Sequence, residues 1–476
     1  MSNSSSNEGY DGVTSINNNP HTSRTAQGSD QLPRYSWVGG STPILPRYSM
    51  VVNPPARPGS APGSSRSATT IHEYNLKNGK IPWVTLKVSS RAGPSSNHVK
   101  FVGGDTVTGS VILDLNSSQT IKAIYLTVRG RIITGSTAHQ SYTFLDYQSL
   151  IWSKAHGDPR HMSSGPSTLK FDGKIVPGEY TWPFSFSFPT ESTLPGEPRP
   201  PSQHRIPNTF RERGANVSVL YDLTLHIIRG KLRADDKIRI PVVYIPKITP
   251  EPFSHLRQLA YRENTPLPDP IDDPEGWLTL PAANIRGVLF QRAVELDFQL
   301  SIAKPLCYTQ GTVVPCSLTV RSMDIQALDI LVSPKTVGAV LKQRVKYFPD
   351  ARQFERNIAQ VVDVMDVGAA IWWSPNTTAS QGVRERRIEG EIHLPKGLQP
   401  SSDFAALIVE YAVHLLPPKS PIFCVDEGVE TLPSQLVSVG TIRAPGPTPR
   451  EHVARPPVTR EPSFDTVPVF MEGDKH

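Results

Sequence analysis

The sequence predicts an all-β protein built as two tandem antiparallel β-sandwiches flanked by disordered tails. Three observations lead there. Proline accounts for 47 of 476 residues, and each internal proline removes a helical hydrogen bond and clashes with the preceding turn. Apolar residues recur at every second position in many short runs, which is the period of a half-buried strand. Those runs fall into two blocks, separated by a Pro- and Asp-rich stretch and bounded by ends rich in Ser, Asn, Pro and Gly.

Residues 1–70 carry few clustered apolar side chains, too few to offset the entropy of ordering, so they read as a disordered tail. Alternation begins with Val84, Leu86 and Val88 and returns as Val107, Gly109, Val111, Leu113 and Leu115, then as Ile124, Leu126 and Val128. Phe184, Phe186 and Phe188 follow, then the longest run, from Val217 through Ile227, and Ile238 to Ile245 closes a first sandwich over 71–246. Residues 247–283, with Pro250, Pro252, Pro266, Pro268, Pro270 and Pro274, read as a stiff linker in which Phe253 to Arg262 alone suits a short helix. The second sandwich, 284–443, alternates at Val294–Ile302, at Val314–Val320, at Ile388, Ile392 and Leu394, and at Leu407–Leu415. Residues 444–476 lack this period and read as a second disordered tail.

Composition narrows the function. Three cysteines, Cys307, Cys316 and Cys424, cannot form a disulfide framework, which favours a reducing compartment. The N-terminus lacks the basic start and apolar core of a signal peptide, and no apolar run is long enough to cross a bilayer. A net charge of +6 suits weak attraction to acidic membrane surfaces and is too diffuse to argue for nucleic acid.

Several stretches resemble the arrestin family. In the first block these are Phe101-Val-Gly-Gly-Asp105-Thr-Val-Thr-Gly109-Ser-Val111, Ile121 to Gly130, Gly178-Glu-Tyr-Thr-Trp-Pro-Phe-Ser-Phe-Ser-Phe-Pro189, and Val219 to Arg229. In the second, Tyr308-Thr-Gln-Gly311-Thr-Val-Val-Pro315-Cys-Ser-Leu-Thr-Val320 is similar to the opening of the arrestin C-terminal domain. The resemblance covers Ile81 to about Arg443 and is of the fungal α-arrestin type. It implies immunoglobulin-like sandwiches in the arrestin arrangement and a non-enzymatic cytoplasmic adaptor at the plasma membrane or endosome periphery. The implied partners are transporter or receptor tails as membrane-protein cargo, a WW-domain ubiquitin ligase of the HECT type, and peripheral membrane contact.

Two candidate sites follow. Leu32-Pro33-Arg34-Tyr35-Ser36 is repeated as Leu45-Pro46-Arg47-Tyr48-Ser49. WW domains take Pro-Pro-x-Tyr because a preformed polyproline strand lays proline in an aromatic groove and tyrosine in a second pocket, and leucine can supply the first apolar contact. Two copies can also act bivalently. The family usually places this motif after the second domain, and here Pro417-Pro418 and Pro456-Pro457 lack the tyrosine. The second candidate is basic: Arg205, Arg211 and Arg213, then Arg229, Lys231 and Arg233, whose guanidinium forks suit phosphate or acidic tails.

Other patterns argue for bland roles. Gly104 to Ser110 has phosphate-loop glycine spacing but no lysine and no following helix, so it reads as a turn. His156, Asp158 and His161 read as a solvated loop, Arg384-Glu-Arg-Arg387 as a solvated sheet edge, and Asp235-Asp236 and Asp272-Asp273 as exposed turn carboxylates. Cys316 falls on an apolar face and reads as a small core residue. No hydrolase elbow, zinc-helix or kinase signature occurs, so no catalytic, metal or cofactor residues are assigned. Two competing readings remain: a trafficking scaffold of the retromer type without ligase recruitment, and a secreted binding sandwich, which sequons at Asn116, Asn216 and Asn376 would suit.

Overall fold

The computed structural model describes residues 69–91, 98–135, 140–161, 171–193, 203–211, 215–230, 233–350, 359–375, 382–404, 406–426 and 432–454. The two Leu-Pro-Arg-Tyr copies, Arg213, Lys231 and the residues after 454 lie outside them.

Alternation becomes a sandwich because each strand has one face to bury. In the first sandwich one sheet pairs β1 (Thr70–Asn78), β2 (Ile81–Ser90), β4 (Thr106–Leu115) and β7 (Gly178–Ser187), in that order. The facing sheet runs β3 (Val99–Val102), β9 (Asp236–Ile245), β8 (Ser218–Arg229), β5 (Gln119–Ile133) and β6 (Ser141–Ser153). Val84, Leu86, Val88, Val111 and Leu113 from the first sheet meet Ile124, Leu126, Val128 and Leu225 from the second, all fully buried. Each contributes roughly 1.5–3 kcal/mol by leaving water. Gly104 turns the chain at φ 88°, in the left-handed region that favours glycine. Asp105 closes the turn by accepting from the Val102 amide at 2.9 Å.

The second sandwich is one continuous sheet folded back on itself. Its order is the short strand Cys307–Thr309, β17 (Ser434–Gly440), β16 (Leu407–Leu416), β13 (Gly338–Tyr347), β14 (Val361–Trp373), β15 (Glu385–His393), β12 (Val313–Arg321), β11 (Arg292–Ala303), β10 (Ala283–Leu289) and Phe423–Val425. The fold-back occurs within β14, whose first part pairs with β13 and whose last residues, Ala370–Trp373, pair with β15. Leu296, Phe298, Leu300 and Ile302 on β11 lie in its core with Val314, Leu318 and Val320 on β12, and Cys316 is buried among them. Burial pushes the Cys316 thiol up to about 12. A short helix, α2 (Ile325–Leu331), is capped by the Asp324 carboxylate and buries Ala327, Leu328 and Leu331.

The stretch from 247 to 283 is built into the second sandwich. Helix α1 (His255–Glu263) starts at the Ser254 cap and ends at Asn264 in the left-handed conformation. Its Arg257 is 1% exposed and donates to the Gly276 carbonyl at 2.5 Å and to the Lys304 carbonyl. Asp273, expected to be an exposed turn carboxylate, is buried; it accepts from Ser254 Oγ and, at 3.1 Å, from the Gly276 amide. Residues 277–279 then pair with β11.

Beyond β17, a strap of residues 441–454 crosses the outer face of the same sheet. Thr441 and Ile442 bond to Ile248, and Arg450 Nη1 donates to the Asn264 carbonyl. The buried Glu391 carboxylate accepts from the His452 and Val453 amides at 2.8–3.1 Å, while the His452 ring stacks on Trp373 at 4.2 Å.

Residues from both sandwiches meet through a small mixed contact. Asn208 Nδ2 donates to Gln399 Oε1 at 2.8 Å, the Asn216 amide donates to the Tyr347 hydroxyl at 3.2 Å, and Phe144 lies 5.1 Å from Phe404. Behind it, Tyr411 donates to the Gln399 carbonyl and accepts from Gln343, so a buried polar chain continues into the second core.

Candidate binding surface

The outer face of the β9–β8–β5–β6 sheet brings charged side chains from several strands together. Because side chains alternate along strands, the residues opposite the core set share this face. Register pairs Arg131 with Leu220, Arg129 with Asp222, Thr127 with Thr224 and Tyr125 with His226. On the other flank Arg239 pairs with Thr224 and Lys237 with His226, and Asp146 on β6 pairs with Arg129. Four cations, Arg129, Arg131, Lys237 and Arg239, thus share the face with two carboxylates, Asp146 and Asp222.

The acids hold the arginines in place. Asp222 is buried, and its Oδ2 takes Arg239 Nη2 at 3.1 Å and Arg131 Nη2 at 3.5 Å, while Oδ1 accepts from Thr224. Arg129 Nη2 reaches Asp146 at 3.0 Å. The Arg129–Asp146 pair is half-exposed and contributes little to stability; all three pairs fix the direction of the guanidinium planes. On the same face His226 stacks on Tyr125 at 5.0 Å. Burial, then the charges of Lys237 and Arg129, hold its imidazole below the ordinary histidine value against the opposing Asp146 and Asp222.

Of the described basic residues singled out in the sequence, Arg205 lies on a separate two-stranded sheet, and Arg211 and Arg229 lie at opposite ends of β8. Arg205 lies on the short strand Gln203–Arg205, beside His204, whose ring meets Phe404 of the second sandwich. Arg211 pairs with Ser218 at the start of β8. Arg229 ends β8, about 36 Å away at 3.3 Å per residue. The two groups therefore do not form one phosphate site. Arg229 is also not a free fork. It is 9% exposed, donates to Asp236 at 2.6 Å and to Gln119 at 2.8 Å, and stacks 4.5 Å over Trp83. Arg233 remains exposed and shares the same Gln119 oxygen. Asp236, taken from sequence as an idle turn carboxylate, is the ion-pair partner of Arg229.

One further expectation needs correction, while the His156 loop is solvated as expected. The Arg384–Arg387 cluster is solvated only in part: Arg384 is exposed, but residues 385–387 pair with β12 and the last of them turns inward. Arg387 is buried and paired with Asp269, and Arg386 is paired with Asp329 at 2.7 Å. In the His156 loop, His156 Nδ1 bonds back to Ser153 and Asp158 binds Arg160 at 2.6 Å. Arg129, Arg131, Lys237 and Arg239 went unnoticed in the sequence. Their only signal is polar alternation within runs recognised for their apolar positions.

Residues 94–248 match the family model of the arrestin (or S-antigen) N-terminal domain. The first sandwich resembles an arrestin N-terminal domain. The chain is accordingly arrestin-like, and its second sandwich follows in the same all-β architecture. No curated protein matches the chain. Arrestin family members are non-enzymatic adaptors, so the broad role indicated for this chain is that of an arrestin-like adaptor.

Proposed function

We propose that this arrestin-like chain is a cytoplasmic adaptor that holds an acidic or phosphorylated segment of a membrane-protein cargo against the outer face of the β9–β8–β5–β6 sheet. The observation that carries the reading is the excess of Arg129, Arg131, Lys237 and Arg239 over Asp146 and Asp222 on one exposed face. A guanidinium already aimed by Asp222 can offer its remaining N–H groups to a carboxylate or phosphate with little further loss of rotamer freedom. An extended acidic segment lying across the strands would meet several cations at once, and salt should weaken the contact.

The test uses Lys237→Glu combined with Arg239→Gln in the full chain, titrated with fluorescent peptides bearing zero, two or four phosphates. Affinity should rise with phosphate number and fall by about tenfold or more in the variant, since each lost charge-assisted contact contributes of order 1 kcal/mol. Equal binding of neutral and phosphorylated peptides, or an unaffected variant, would reject this surface.

The ligase arm of the proposal rests on Leu32-Pro33-Arg34-Tyr35 and Leu45-Pro46-Arg47-Tyr48. Replacing both Tyr35 and Tyr48 by alanine should abolish capture of the chain by an array of WW domains, because the second aromatic pocket is then empty. Capture at the level of the unaltered chain would remove the ligase arm and leave cargo binding standing.

A further inference from the structure

The first part of β14 is an unusual sheet edge. Val361–Ala369 pairs with β13 on one flank, and among the described residues no strand pairs with the other flank. Unpaired edges are normally blunted by charge, proline or a covering segment, because a row of open N–H and C=O groups invites another strand. This edge carries two carboxylates, Asp363 and Asp366, but the residues around them are apolar and largely exposed. Val362 is 44% exposed, Val364 55% and Met365 40%, with Val367 half-buried beside them. Asp363 and Asp366 interrupt the run, and Asp366 is 3.6 Å from Lys342.

A second observation says what can reach it. The strap after β17 travels toward this edge, and its last anchors are the Glu391 carboxylate on β15 and the Trp373 ring at the end of β14. The chain thus leaves the described residues at the C-terminal end of the strand whose other part lies open. Another 22 residues follow Ala454, and within them Thr466-Val467-Pro468-Val469-Phe470-Met471 is the most apolar run. Val469 lies 15 residues beyond Ala454, about 50 Å of extended chain, whereas Val364 lies nine residues before Trp373, about 30 Å along β14. The reach is sufficient, with several residues to spare for turning back at Pro456-Pro457.

We infer that residues 464–471 of this same chain add to the open edge of β14 as an antiparallel strand. Main-chain hydrogen bonds would supply the affinity, and Val467, Val469 and Met471 would cover Val362 and Val364. Pro468 is compatible because an added edge strand turns every second N–H toward solvent, where proline has nothing to lose. The inference stands apart from the adaptor proposal, since it uses neither the basic face of the first sandwich nor any partner.

Hydrogen exchange on the full chain tests it. Amides of residues 361–368 should exchange at least about tenfold more slowly in the unaltered chain than in the full chain carrying Val467→Asp and Val469→Asp, with β2 and β11 amides equal in both. Equal exchange of 361–368 in the two chains would overturn the inference. So would protection that persists in the variant, or protection that disappears on dilution together with a dimer mass in light scattering, because the edge would then be covered by something other than the chain's own tail.

Discussion

Arg257→Ala is expected to lower the stability of the second sandwich by about 3–5 kcal/mol, read as a shift of its denaturant midpoint. The guanidinium sits inside the protein, between the Phe253 and Trp277 rings at 5.7 and 5.6 Å, and bonds to the Gly276 and Lys304 carbonyls. Burial lowers its pKa, opposed by Tyr261, Tyr308 and Asp273, so the site combines desolvation with close polar partners. Alanine would remove both charge-assisted bonds, leave Asp273 without a nearby cation and open a cavity beneath α1. Arg257→Lys keeps a charge but cannot reach both carbonyls at once, so it should recover only part of the loss. Protease cleavage within residues 250–275 should appear in the alanine variant well before the sandwiches unfold. A midpoint change below about 1 kcal/mol would show that α1 is not held by this residue.

Gly109→Ala should be almost as damaging to the first sandwich, although a single methyl group is added. Gly109 pairs with Val88 on β2 and Phe184 on β7 in the middle of its sheet. A Cβ there would lie 2.0 Å from the Lys87 carbonyl oxygen and 2.6 Å from Phe184 Cζ. Backbone cannot yield as a flexible side chain can, so the strands must separate, at a cost of about 3 kcal/mol or more. Gly79→Ala provides the contrast. Gly79 has φ 65° with nothing within 4 Å of its Cβ position, so only backbone strain of about 1 kcal/mol is expected. Thermal unfolding of both variants distinguishes the causes: similar losses would mean that crowding at Gly109 is relieved by small shifts.

Much of the strand plan was legible because the period of two is a local property. Val84, Leu86 and Val88, or Leu296, Phe298 and Leu300, announce their strands without reference to anything distant. Strand β6 shows where the pattern fails. Phe144 and Leu145 are adjacent and both buried, because register shifts against β5 break the alternation at Ile124/Tyr125 and Gly130/Arg131. On β13 the core position between Leu341 and Val345 is Gln343, a polar residue whose Nε2 donates to the Tyr411 hydroxyl. On β14 the apolar residues are exposed on an open edge, so neither face alternates with burial.

The candidate surface was harder to read than the fold. Arg129, Arg131, Lys237 and Arg239 come from strands more than a hundred residues apart in the chain, and only register sets them side by side. Arg229 and Arg387 look alike in sequence to any solvated cation, yet Arg229 is buried against Asp236 across the β8–β9 hairpin and Arg387 against Asp269, 118 residues away.

By itself, the amino-acid order determined which segments are strands, that they form two all-β blocks, and that the first resembles an arrestin N-terminal domain. The strand plan depends on neighbours two residues apart, whereas the resemblance rests on the motifs between Phe101 and Arg229. Tertiary structure alone decided which charges face solvent together, that the proline-rich stretch and the strap are welded onto the second sandwich, and that the first part of β14 has no strand on one flank among the described residues. Those outcomes depend on pairing register and on contacts between distant residues, for which a linear pattern carries no signal.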